Sequence, residues 1–501
     1  MKTSSKSYLL GIDQGSSGSR ALVMNRNGDV CGYGYRALTR LYPQTGWAEQ
    51  DPTAVVEGVT EAVMEAIVQA GCGPDDLIAC GIAGQRNTDF VWDARTNRPL
   101  ANAITWQDLR TMPIVTELEA WSLADQRRRR LGYFPGPYSS SMHLAWRMRH
   151  DPAVIDAART GDLRIGFSAA WLLASAGKPT SHAMDYNLIQ QLGLYDFRAE
   201  RYWDEWLDRL NIAGEALPEA QPTLHNFGTL HCTGLDTSAD VPVLAMIGNE
   251  QAALFGHRCH TPGAAECSHG TASFVDVFLG DTAPDQDKLN VYFAWHLGDR
   301  PTYCLEADTT VTGAALRWMK EEARLFDAYE EVGPLATSVP DSGGVVFVPA
   351  FTGLNVPYND PLARGTILGL TLGSSRAHIV RAFLESLGYQ MRSILQTIEA
   401  ETGLCVEQLN VGGGIAASDE ACQIQANLLG IPVVRPAFTE QAAQAAALLA
   451  GLGAGVWSSL DALPPMPGTF DTFDPTLSLD EREAGYAQWE RAVERSRQWS
   501  L

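Results

Sequence analysis

The first candidate for chemistry is a segment of small polar residues that follows the first apolar run of the chain. Its members are Asp13, Gln14, Gly15, Ser16, Ser17 and Arg20. Glycines let backbone N–H groups approach a polyphosphate, hydroxyl groups donate to it, and a carboxylate can hold a hydrated Mg²⁺ ion. The segment therefore has what a phosphate-binding turn needs, and an ordinary hairpin turn fits the same residues equally well.

Two later turns have a similar composition. One contains Gly270 and Thr271, and the other is the run Gly412, Gly413 and Gly414. The sequence contains neither G-x-x-x-x-G-K-[ST] nor a strand-linked G-x-G-x-x-G, so the two commonest nucleotide-binding folds lose support. Each turn alone is weak evidence, but three of them between residues 13 and 418 indicate a nucleotide held by two lobes.

Polar side chains also interrupt two strand-like stretches, residues 84–92 and 102–108. Buried polar groups need hydrogen-bond partners, and a polyol can supply them. If residues 86–89 continue a strand, Asn87 and Asp89 share one face and Arg86 points to the other. Trp106, in the second stretch, fits a substrate wall and a packed core about equally.

These candidates need a scaffold, and the surrounding pattern predicts an α/β one. Residues 8–12 and 20–24 are typical of two strands on either side of the first turn. Asp51 and Pro52 predict the start of a helix, and residues 77–83 predict a further strand. This alternation indicates a partly parallel sheet covered by helices. Near the other end of the chain, residues 441–450 predict a helix whose small side chains allow close packing.

The length of 501 residues exceeds what one hydrophobic core usually supports, so at least two domains are expected. The strand, turn and strand of the opening recur around residues 263–278. We predict an N-terminal domain over residues 1–247, which carries the substrate site and the phosphate turn. A C-terminal domain over residues 248–501 is expected to bind the nucleotide.

Composition excludes several classes of function. The formal net charge of −22 would repel nucleic acid over most of the surface. No apolar stretch approaches the roughly 18 residues that a membrane span needs. The nine cysteines include no C-x-x-C pair, which is typical of reduced thiols in a cytoplasm. We predict a cytoplasmic protein without a nucleic-acid or membrane partner, and its assembly into a homo-oligomer stays open.

Taken together, in the same order and over essentially the whole chain, these segments resemble the FGGY carbohydrate kinase family and, within it, the glycerol kinases most closely. The stretches that carry the resemblance are GIDQGSSGSR at residues 11–20, YPQTGWAEQDP at 42–52, QR at 85–86, AITWQD at 103–108, QAALFG at 251–256, FTGL at 351–354, DPLARG at 360–365 and GLTLG at 369–373. Chance agreement over so many separated segments is not credible.

The resemblance implies an α/β fold of two actin-like (ribonuclease H-like) domains that flank a nucleotide and substrate cleft. It implies ATP-dependent phosphorylation of a small polyol or sugar, with Mg²⁺ held near Asp13. The residues that it implies for ATP binding are Gln14, Gly15, Ser16, Ser17, Arg20, Gly270, Thr271, Gly313, Gly413 and Gly414. The residues that it implies for substrate binding are Arg86, Asn87, Trp106, Tyr138 and Phe274.

The chain departs from the family pattern at the acceptor site. Asn249 stands where glycerol kinases have the aspartate that acts as general base, and Glu250 stands where they have an amide. Asn87 replaces a glutamate, and His143 replaces a lysine of a signature segment. An amide cannot accept a hydroxyl proton as a carboxylate can, so Asn249 orients the substrate at most.

Three hypotheses follow from these replacements. In the first, Glu250 or Asp89 accepts the proton, and the pocket is rearranged for a substrate other than glycerol, such as a longer polyol, a ketose or an amine-bearing polyol. In the second, phosphoryl transfer proceeds without a strong base, because its loose transition state depends mostly on positioning and charge neutralisation. In the third, the protein binds nucleotide or polyol as a sensor or scaffold and turns over nothing.

A phosphohydrolase of the same broad fold is a further alternative, which needs a carboxylate that activates water. The first hypothesis is the working one, since carboxylates are missing at residues 87 and 249 and present at residues 89 and 250.

Overall fold

A computed structural model describes residues 7–119, 121, 123, 126–231, 239–285, 288–309, 311–466 and 468–500. The chain divides into two compact units. The first comprises Met1–Gly256, Tyr292–Tyr303 and Gln441–Pro467, and the second comprises His257–Val291, Cys304–Glu440 and Gly468–Leu501. Two later segments, Tyr292–Tyr303 and Gln441–Pro467, thus belong to the first unit. A single domain boundary at residue 247 would place both of them in the C-terminal domain. The division into domains 1–247 and 248–501 stays a prediction.

The first part of the chain alternates strands and helices. Its strands, among the described residues, are β1 (Tyr8–Gln14), β2 (Gly18–Asn25), β3 (Val30–Ala37), β4 (Glu49–Gln50), β5 (Leu77–Gly84), β6 (Phe90–Asp93), β7 (Arg98–Pro99), β8 (Ala103–Ile104), β9 (Leu163–Gly166), β10 (Gly177–Pro179), β11 (Ala183–Asp185), β12 (Tyr195–Asp196), β13 (Arg201–Tyr202), β14 (Glu219–Gln221), β15 (Leu224–His231) and β16 (Asp240–Gly248). Its helices are α1 (Pro52–Ala70), α2 (Met112–Glu119), α3 (Arg127–Leu131), α4 (Ser140–His150), α5 (Pro152–Thr160), α6 (Ser168–Ala176), α7 (Tyr186–Gln191), α8 (Asp204–Leu210) and α9 (Asn249–Gly256).

The rest of the chain continues the alternation with longer helices. Its described strands are β17 (Ala265–His269), β18 (Ser273–Gly280), β19 (Asn290–Phe293), β20 (Tyr303–Thr309), β21 (Val346–Val348), β22 (Thr366–Leu368), β23 (Leu409–Gly413), β24 (Val433–Pro436) and β25 (Phe470–Phe473). Its helices are α10 (Gly313–Glu321), α11 (Val332–Thr337), α12 (Arg376–Thr402), α13 (Asp419–Leu429), α14 (Gln441–Gly453) and α15 (Leu479–Ser496).

The sheet of the first unit has seven strands in the order β10-β15-β16-β5-β1-β2-β3. Strand β1 runs antiparallel to β2 and parallel to β5, and β5 runs parallel to β16. Helix α1 begins where the sequence predicts, with Pro52 in its first turn and the Asp51 side chain accepting from the N–H of Thr53 at 2.8 Å. The predicted α/β fold with a partly parallel sheet is confirmed.

The second seven-stranded sheet repeats this plan, with the order β19-β20-β18-β17-β23-β24-β25. Strand β17 runs antiparallel to β18 and parallel to β23, as β1 does with β2 and β5. The turns after β1 and after β17 therefore occupy equivalent places in their sheets. The recurrence that the sequence predicts around residues 263–278 is thus present in the fold.

Helix α14 packs closely on the middle of the first sheet because two glycines lie beneath it. Gly11 of β1 and Gly81 of β5 are paired in register. A Cβ atom added at Gly11 would overlap the carbonyl oxygen of Ala443, and one added at Gly81 would overlap that of Ala446. The helix thus fixes the positions of β1 and β5, whose ends carry the candidate site.

Two properties bear on the expected surroundings of the protein. No helix in the described part of the chain is long and apolar enough to cross a lipid bilayer. The eight cysteines that the structure describes form no disulfide, and Cys232 lies outside the described residues.

Candidate active site

Three parallel strands of the first unit end at one edge of its sheet. Gln14 at the end of β1 and Gly248 at the end of β16 both pair with Gly84 at the end of β5. The residues that follow these strands are therefore neighbours in space although they are far apart in the sequence. The predicted phosphate turn, Arg86 and Asn249 each follow one of these strand ends.

The turn between β1 and β2 has hydrogen-bond donors without partners among the residues that the structure describes. The Ser16 carbonyl accepts from Gln50 Nε2, and the Ser17 carbonyl accepts from the N–H of Leu38, both at 3.0 Å. The amide N–H and the hydroxyl of each serine make no hydrogen bond with the described residues. Ser16 is half-buried and Ser17 is exposed. The turn thus offers N–H and O–H donors, which is the chemistry that a phosphate group requires.

Asp13 and Gln14 have different roles beside this turn. The Asp13 side chain is 11% exposed, and its Oδ2 lies 3.5 Å from Nη1 of Arg20. Gln14 is fully buried, donates from Nε2 to the Gly15 carbonyl at 2.9 Å and accepts from Gln85 Nε2 at 2.8 Å. The Gln14 side chain therefore supports the turn from within the protein. A carboxylate next to unpartnered hydroxyl donors fits a hydrated Mg²⁺ ion with a phosphate group.

Residues 85–88 form a turn between β5 and β6. Asn87 has a φ angle of 52°, in the left-handed region that asparagine tolerates better than most residues. The strand does not continue, so the prediction that Asn87 and Asp89 share one strand face is wrong. Arg86 is 9% exposed, and its guanidinium lies 5.8 Å from the centre of the Tyr292 ring.

Asp89 is enclosed by two basic side chains. Its Oδ1 lies 2.6 Å from His143 Nδ1, and its Oδ2 accepts from Arg147 Nε at 2.8 Å. All three side chains are at most 2% exposed. Burial opposes ionisation of this carboxyl, but Arg147 and His143 outweigh it and hold the pKa of Asp89 below its ordinary value. Asp89 is therefore poorly placed to receive a proton from a substrate.

The same network joins Asp89 to two other parts of the predicted site. His143 Nε2 lies 3.0 Å from the Pro137 carbonyl, next to Tyr138, and Arg147 Nη2 donates to the Asn102 carbonyl at 2.6 Å. His143 thus bridges the Asp89 carboxylate and the Pro137 carbonyl. Tyr138 itself is 37% exposed.

Trp106 is half-buried in a stretch that Arg110 holds in place. Nη2 of Arg110 donates to Glu49 and to Asp108, both at 2.7 Å. The Arg110 guanidinium lies 3.6 Å from the centre of the Trp47 ring. The wall that carries Trp106 is thus fixed by a nearly buried ion network.

Asn249 and Glu250 begin helix α9 at the end of β16. Both residues are half-buried, and Asn249 Nδ2 donates to Glu250 Oε1 at 2.8 Å. Near them, Arg86 Nη1 lies 3.5 Å from Gln251 Oε1 in the next position of the helix. The amide at residue 249 thus holds the neighbouring carboxylate at the sheet edge that also carries Arg86.

Sequence reasoning missed Gln191, which contacts a predicted substrate residue. Asn87 Nδ2 donates to Gln191 Oε1 at 3.3 Å, and Gln191, the last residue of α7, is 1% exposed. The pair is 104 positions apart in the sequence, so no local motif could reveal it. The available signal was the grouping of three amide side chains, Asn187, Gln190 and Gln191, within the six residues of this helix.

The second unit brings its predicted nucleotide-binding residues together. The N–H of Gly313 donates to the Gly270 carbonyl at 3.1 Å, and a Cβ atom on Gly413 would overlap the carbonyl of His269. The neighbouring Gly414 donates its N–H to the same His269 carbonyl at 3.1 Å. The three segments after β17, before α10 and after β23 therefore meet in one place.

The turn after β17 resembles the first one in its unpartnered donors. The Thr271 carbonyl accepts from the N–H groups of Thr312 and Ala314, at 3.0 and 3.2 Å. The Thr271 N–H and hydroxyl make no hydrogen bond with the part of the chain that the structure describes. Thr271 is exposed, and Phe274 is half-buried in β18.

A buried histidine supports this second turn. His269 Nδ1 lies 2.8 Å from Ser273 Oγ, and its Nε2 lies 3.1 Å from Gln425 Oε1. Burial lowers the pKa of His269 to about 4, so the ring is neutral near pH 7. In this arrangement Nε2 donates to Gln425 and Nδ1 accepts from the Ser273 hydroxyl. The histidine thus links β17 to α13 without adding a charge.

The chain resembles known proteins over its whole length. Residues 8–256 match the N-terminal domain of the FGGY family of carbohydrate kinases, and residues 265–454 match the C-terminal domain of that family. The glycerol kinase of Symbiobacterium thermophilum is 40% identical, with 99% of each chain covered. Glycerol kinase 2 of Thermotoga maritima is 36% identical over 98% of this chain and 99% of its own.

Solved structures show the same fold. The structure of Plasmodium falciparum glycerol kinase with ADP has a TM-score of 0.90 at 25% identity, with 99% of each chain covered. The xylulose kinase of Rhodospirillum rubrum has a TM-score of 0.84 at 24% identity, with 97% of this chain and 98% of the other covered. The predicted actin-like α/β fold and the predicted family are confirmed. The chain therefore belongs to the FGGY family of carbohydrate kinases and is a kinase that transfers phosphate to an alcohol group of a sugar or polyol.

Proposed function

We propose that this kinase acts on a small polyol or sugar in a pocket that differs from that of the glycerol kinases, with Glu250 as the proton acceptor. The observation that carries the proposal is the hydrogen bond of 2.8 Å from Asn249 Nδ2 to Glu250 Oε1. It holds a carboxylate one residue beyond the family's aspartate position, at the same sheet edge as Arg86. A carboxylate so placed supplies the acceptor that an asparagine cannot.

The surroundings of Asp89 favour Glu250 over the other candidate base. Both Asp89 oxygens are engaged by His143 and Arg147, and the carboxylate is fully buried. Glu250 is half-buried at the start of α9. We assign Asp89 to positioning, because its network holds the turn of Arg86 and the segment of Tyr138.

The phosphate donor is ATP with Mg²⁺, as in carbohydrate kinases of this family. The unpartnered donors of Ser16 and Ser17 fit a phosphate group, and Asp13 beside them fits the role of holding a hydrated ion. When bound, the ion supplies charge neutralisation for phosphate transfer. In the second unit, Thr271 with its exposed N–H and hydroxyl is proposed as the second phosphate contact.

The remaining steps belong to side chains of the first unit. Arg86 and the wall of Trp106 orient the acceptor, and Asn249 fixes the Glu250 carboxylate. Glu250 then takes the proton of the attacking hydroxyl as the new O–P bond forms and the bond from the γ-phosphorus to the bridging oxygen breaks, so that ADP leaves with that oxygen. The loose transition state of phosphoryl transfer places more weight on this positioning than on the strength of the base.

The test is release of ADP over a panel of polyols, ketoses and amino-polyols, with wild type, Glu250→Gln and Asn249→Asp. We expect turnover of at least one acceptor by wild type. Glu250→Gln should lower kcat by about 100-fold or more, the usual contribution of a general base, with little change in the KM for ATP. An active enzyme whose kcat is unchanged in Glu250→Gln would remove Glu250 as the base.

The rival function is a sensor or scaffold that binds nucleotide and polyol without turnover. It would be supported if wild type releases no ADP with any acceptor while Asn249→Asp phosphorylates glycerol. A rise in melting temperature with Mg-ATP in wild type would then show that nucleotide binding is intact.

A further inference from the structure

We propose that Gln191 and Asn87 form an acceptor subsite that selects an uncharged hydroxyl group. The inference rests on the proposed function, in which the acceptor is a polyol. It adds Gln191 as a residue that binds the acceptor and a preference for uncharged acceptors. The amides of Asn87 and Gln191 share one hydrogen bond of 3.3 Å. Asn87 Oδ1 and Gln191 Nε2 are buried and have no partner among the described residues.

The orientation of the two amides does not change this result. If both side chains are flipped, Gln191 donates to Asn87, and the atoms left over are the Asn87 NH₂ group and the Gln191 oxygen. In either orientation the hydrogen-bonded amide pair leaves one donor and one acceptor without a partner among the described residues. A buried polar group left unsatisfied is costly, so a pair of complementary ones indicates a ligand that satisfies both.

The pair lies beside the predicted substrate residue Arg86. The Arg86 guanidinium lies 5.8 Å from the centre of the Tyr292 ring, and the Tyr292 and Tyr133 rings are 5.4 Å apart. The Tyr133 hydroxyl in turn donates to the Gln191 carbonyl at 3.2 Å. Both tyrosines are buried, so Arg86 and Gln191 rest on one aromatic support.

The chemistry of the leftover atoms selects the ligand. Hydroxyl groups both donate and accept, so the hydroxyls of a polyol satisfy the amide oxygen as well as the amide NH₂ group. A carboxylate would leave the amide oxygen unpaired, and an ammonium group would leave the NH₂ group unpaired. The subsite therefore favours a neutral polyol over an acidic or amino analogue of the same size.

The neighbouring Gln190 provides a matched control. Its side chain donates to the Leu131 carbonyl at 2.9 Å and accepts from the N–H of Phe293 at 2.8 Å. Gln190→Met thus removes an amide with protein partners, whereas Gln191→Met removes one whose NH₂ group has none in the described part of the chain. We expect Gln190→Met to lower the melting temperature and to leave the polyol KM within about threefold. Gln191→Met should instead raise the polyol KM and leave the melting temperature close to that of wild type.

The experiment measures kcat and KM for neutral polyols, glycerate and 3-amino-1,2-propanediol, together with polyol binding by calorimetry. Gln191→Met should raise the polyol KM at least tenfold, with the KM for ATP unchanged. Asn87→Gly, which keeps the left-handed backbone, should have a similar effect, and the double variant should be little worse than either single one. Wild type should prefer neutral acceptors over both charged ones by at least tenfold in kcat/KM.

Two results would overturn the inference while the kinase function stands. One is an active wild type whose polyol KM is the same in Gln191→Met, and the other is a preference for the charged acceptors. If wild type turns over no acceptor, the proposed function fails and calorimetry decides the subsite. Polyol binding lost in Gln191→Met would support it, and no polyol binding by wild type would overturn it.

Discussion

At the scale of single residues, environment decides which carboxylate is available for chemistry. Asp89 and Glu250 are equivalent candidates in the sequence, since each stands near a position where the family has a carboxylate. In the structure Asp89 is fully buried against His143 and Arg147, while Glu250 is half-buried at a helix start. The first arrangement holds parts of the protein together, and only the second leaves a carboxylate near the surface of the site.

The substitution Asp89→Asn tests this distinction. It leaves the buried Arg147 guanidinium without its carboxylate partner and removes the partner of His143 Nδ1, and removing one partner of a buried ion pair costs about 3–5 kcal/mol. We expect the melting temperature to fall on the order of 10 °C. The exposed pair of Asp156 and Arg159 is the control, because Asp156→Asn should shift stability by at most about 0.5 kcal/mol. A large loss of kcat in a variant as stable as wild type would instead identify Asp89 as the base.

The sequence could predict the residue types of the site but not their partners. The phosphate turn follows from a local run of glycines and hydroxyls, and the structure keeps it as one turn. Whether the Asp89 carboxylate is available as a base depends on its contacts with His143 and Arg147, which lie 54 and 58 positions away in the sequence. The left-handed conformation of Asn87 also breaks the strand that its neighbours suggest. Such non-local contacts leave no periodic signal in the chain.

At the scale of elements, the edge that carries the site depends on how closely α14 lies on β1 and β5. Gly11 and Gly81 face each other in register, and both lie against backbone atoms of α14. The small side chains of residues 441–450 correctly predicted close packing of this helix. That its partners would be two glycines near the other end of the chain could not be predicted, because the contact joins segments over 360 residues apart.

The substitution Gly11→Ala tests this packing. The new Cβ atom would overlap the backbone of Ala443, so the helix or the strand has to move. Overpacking of this kind typically costs about 1–3 kcal/mol and more against rigid backbone, and we expect a lower melting temperature and weaker Mg-ATP binding at the end of β1. Gly214→Ala is the control, since nothing lies within 4 Å of its added Cβ atom. Equal melting temperatures for the two variants would show that α14 is not held by this contact.

At the scale of the whole molecule, two effects oppose each other as pH falls. The net charge of −22 at pH 7 diminishes towards the isoelectric point near 4.8, which relieves repulsion. Buried neutral histidines act in the other direction. Burial lowers the pKa of His182 in the first unit and of His269 in the second to about 4. Because the unfolded chain binds these protons near pH 6.5, the histidines make unfolding easier in acid.

The expected result is a fall in the free energy of unfolding between about pH 6.5 and pH 4, on the order of 2 kcal/mol for each histidine at pH 4.5. The titratable and charged groups near them are Arg164 for His182 and Cys267 for His269. The measurement is urea unfolding at pH 6.5 and at pH 4.5 in 0.5 M NaCl. At this salt concentration the screening length is roughly 4 Å, which reduces the opposing effect of surface charge.

Because glutamine does not titrate, His182→Gln and His269→Gln should each reduce the loss of unfolding free energy between pH 6.5 and pH 4.5 by about 2 kcal/mol, the contribution of the histidine that is removed. His182 Nε2 lies 2.9 Å from the Ile165 carbonyl, and the glutamine amide can donate to the same oxygen. Variants that lose as much stability between pH 6.5 and 4.5 as wild type would show that other groups drive acid unfolding. Because one histidine lies in each unit, the two variants also test whether the units unfold cooperatively. If they do, each variant shifts a single urea unfolding transition; if they unfold independently, two transitions appear and each variant shifts only that of its own unit.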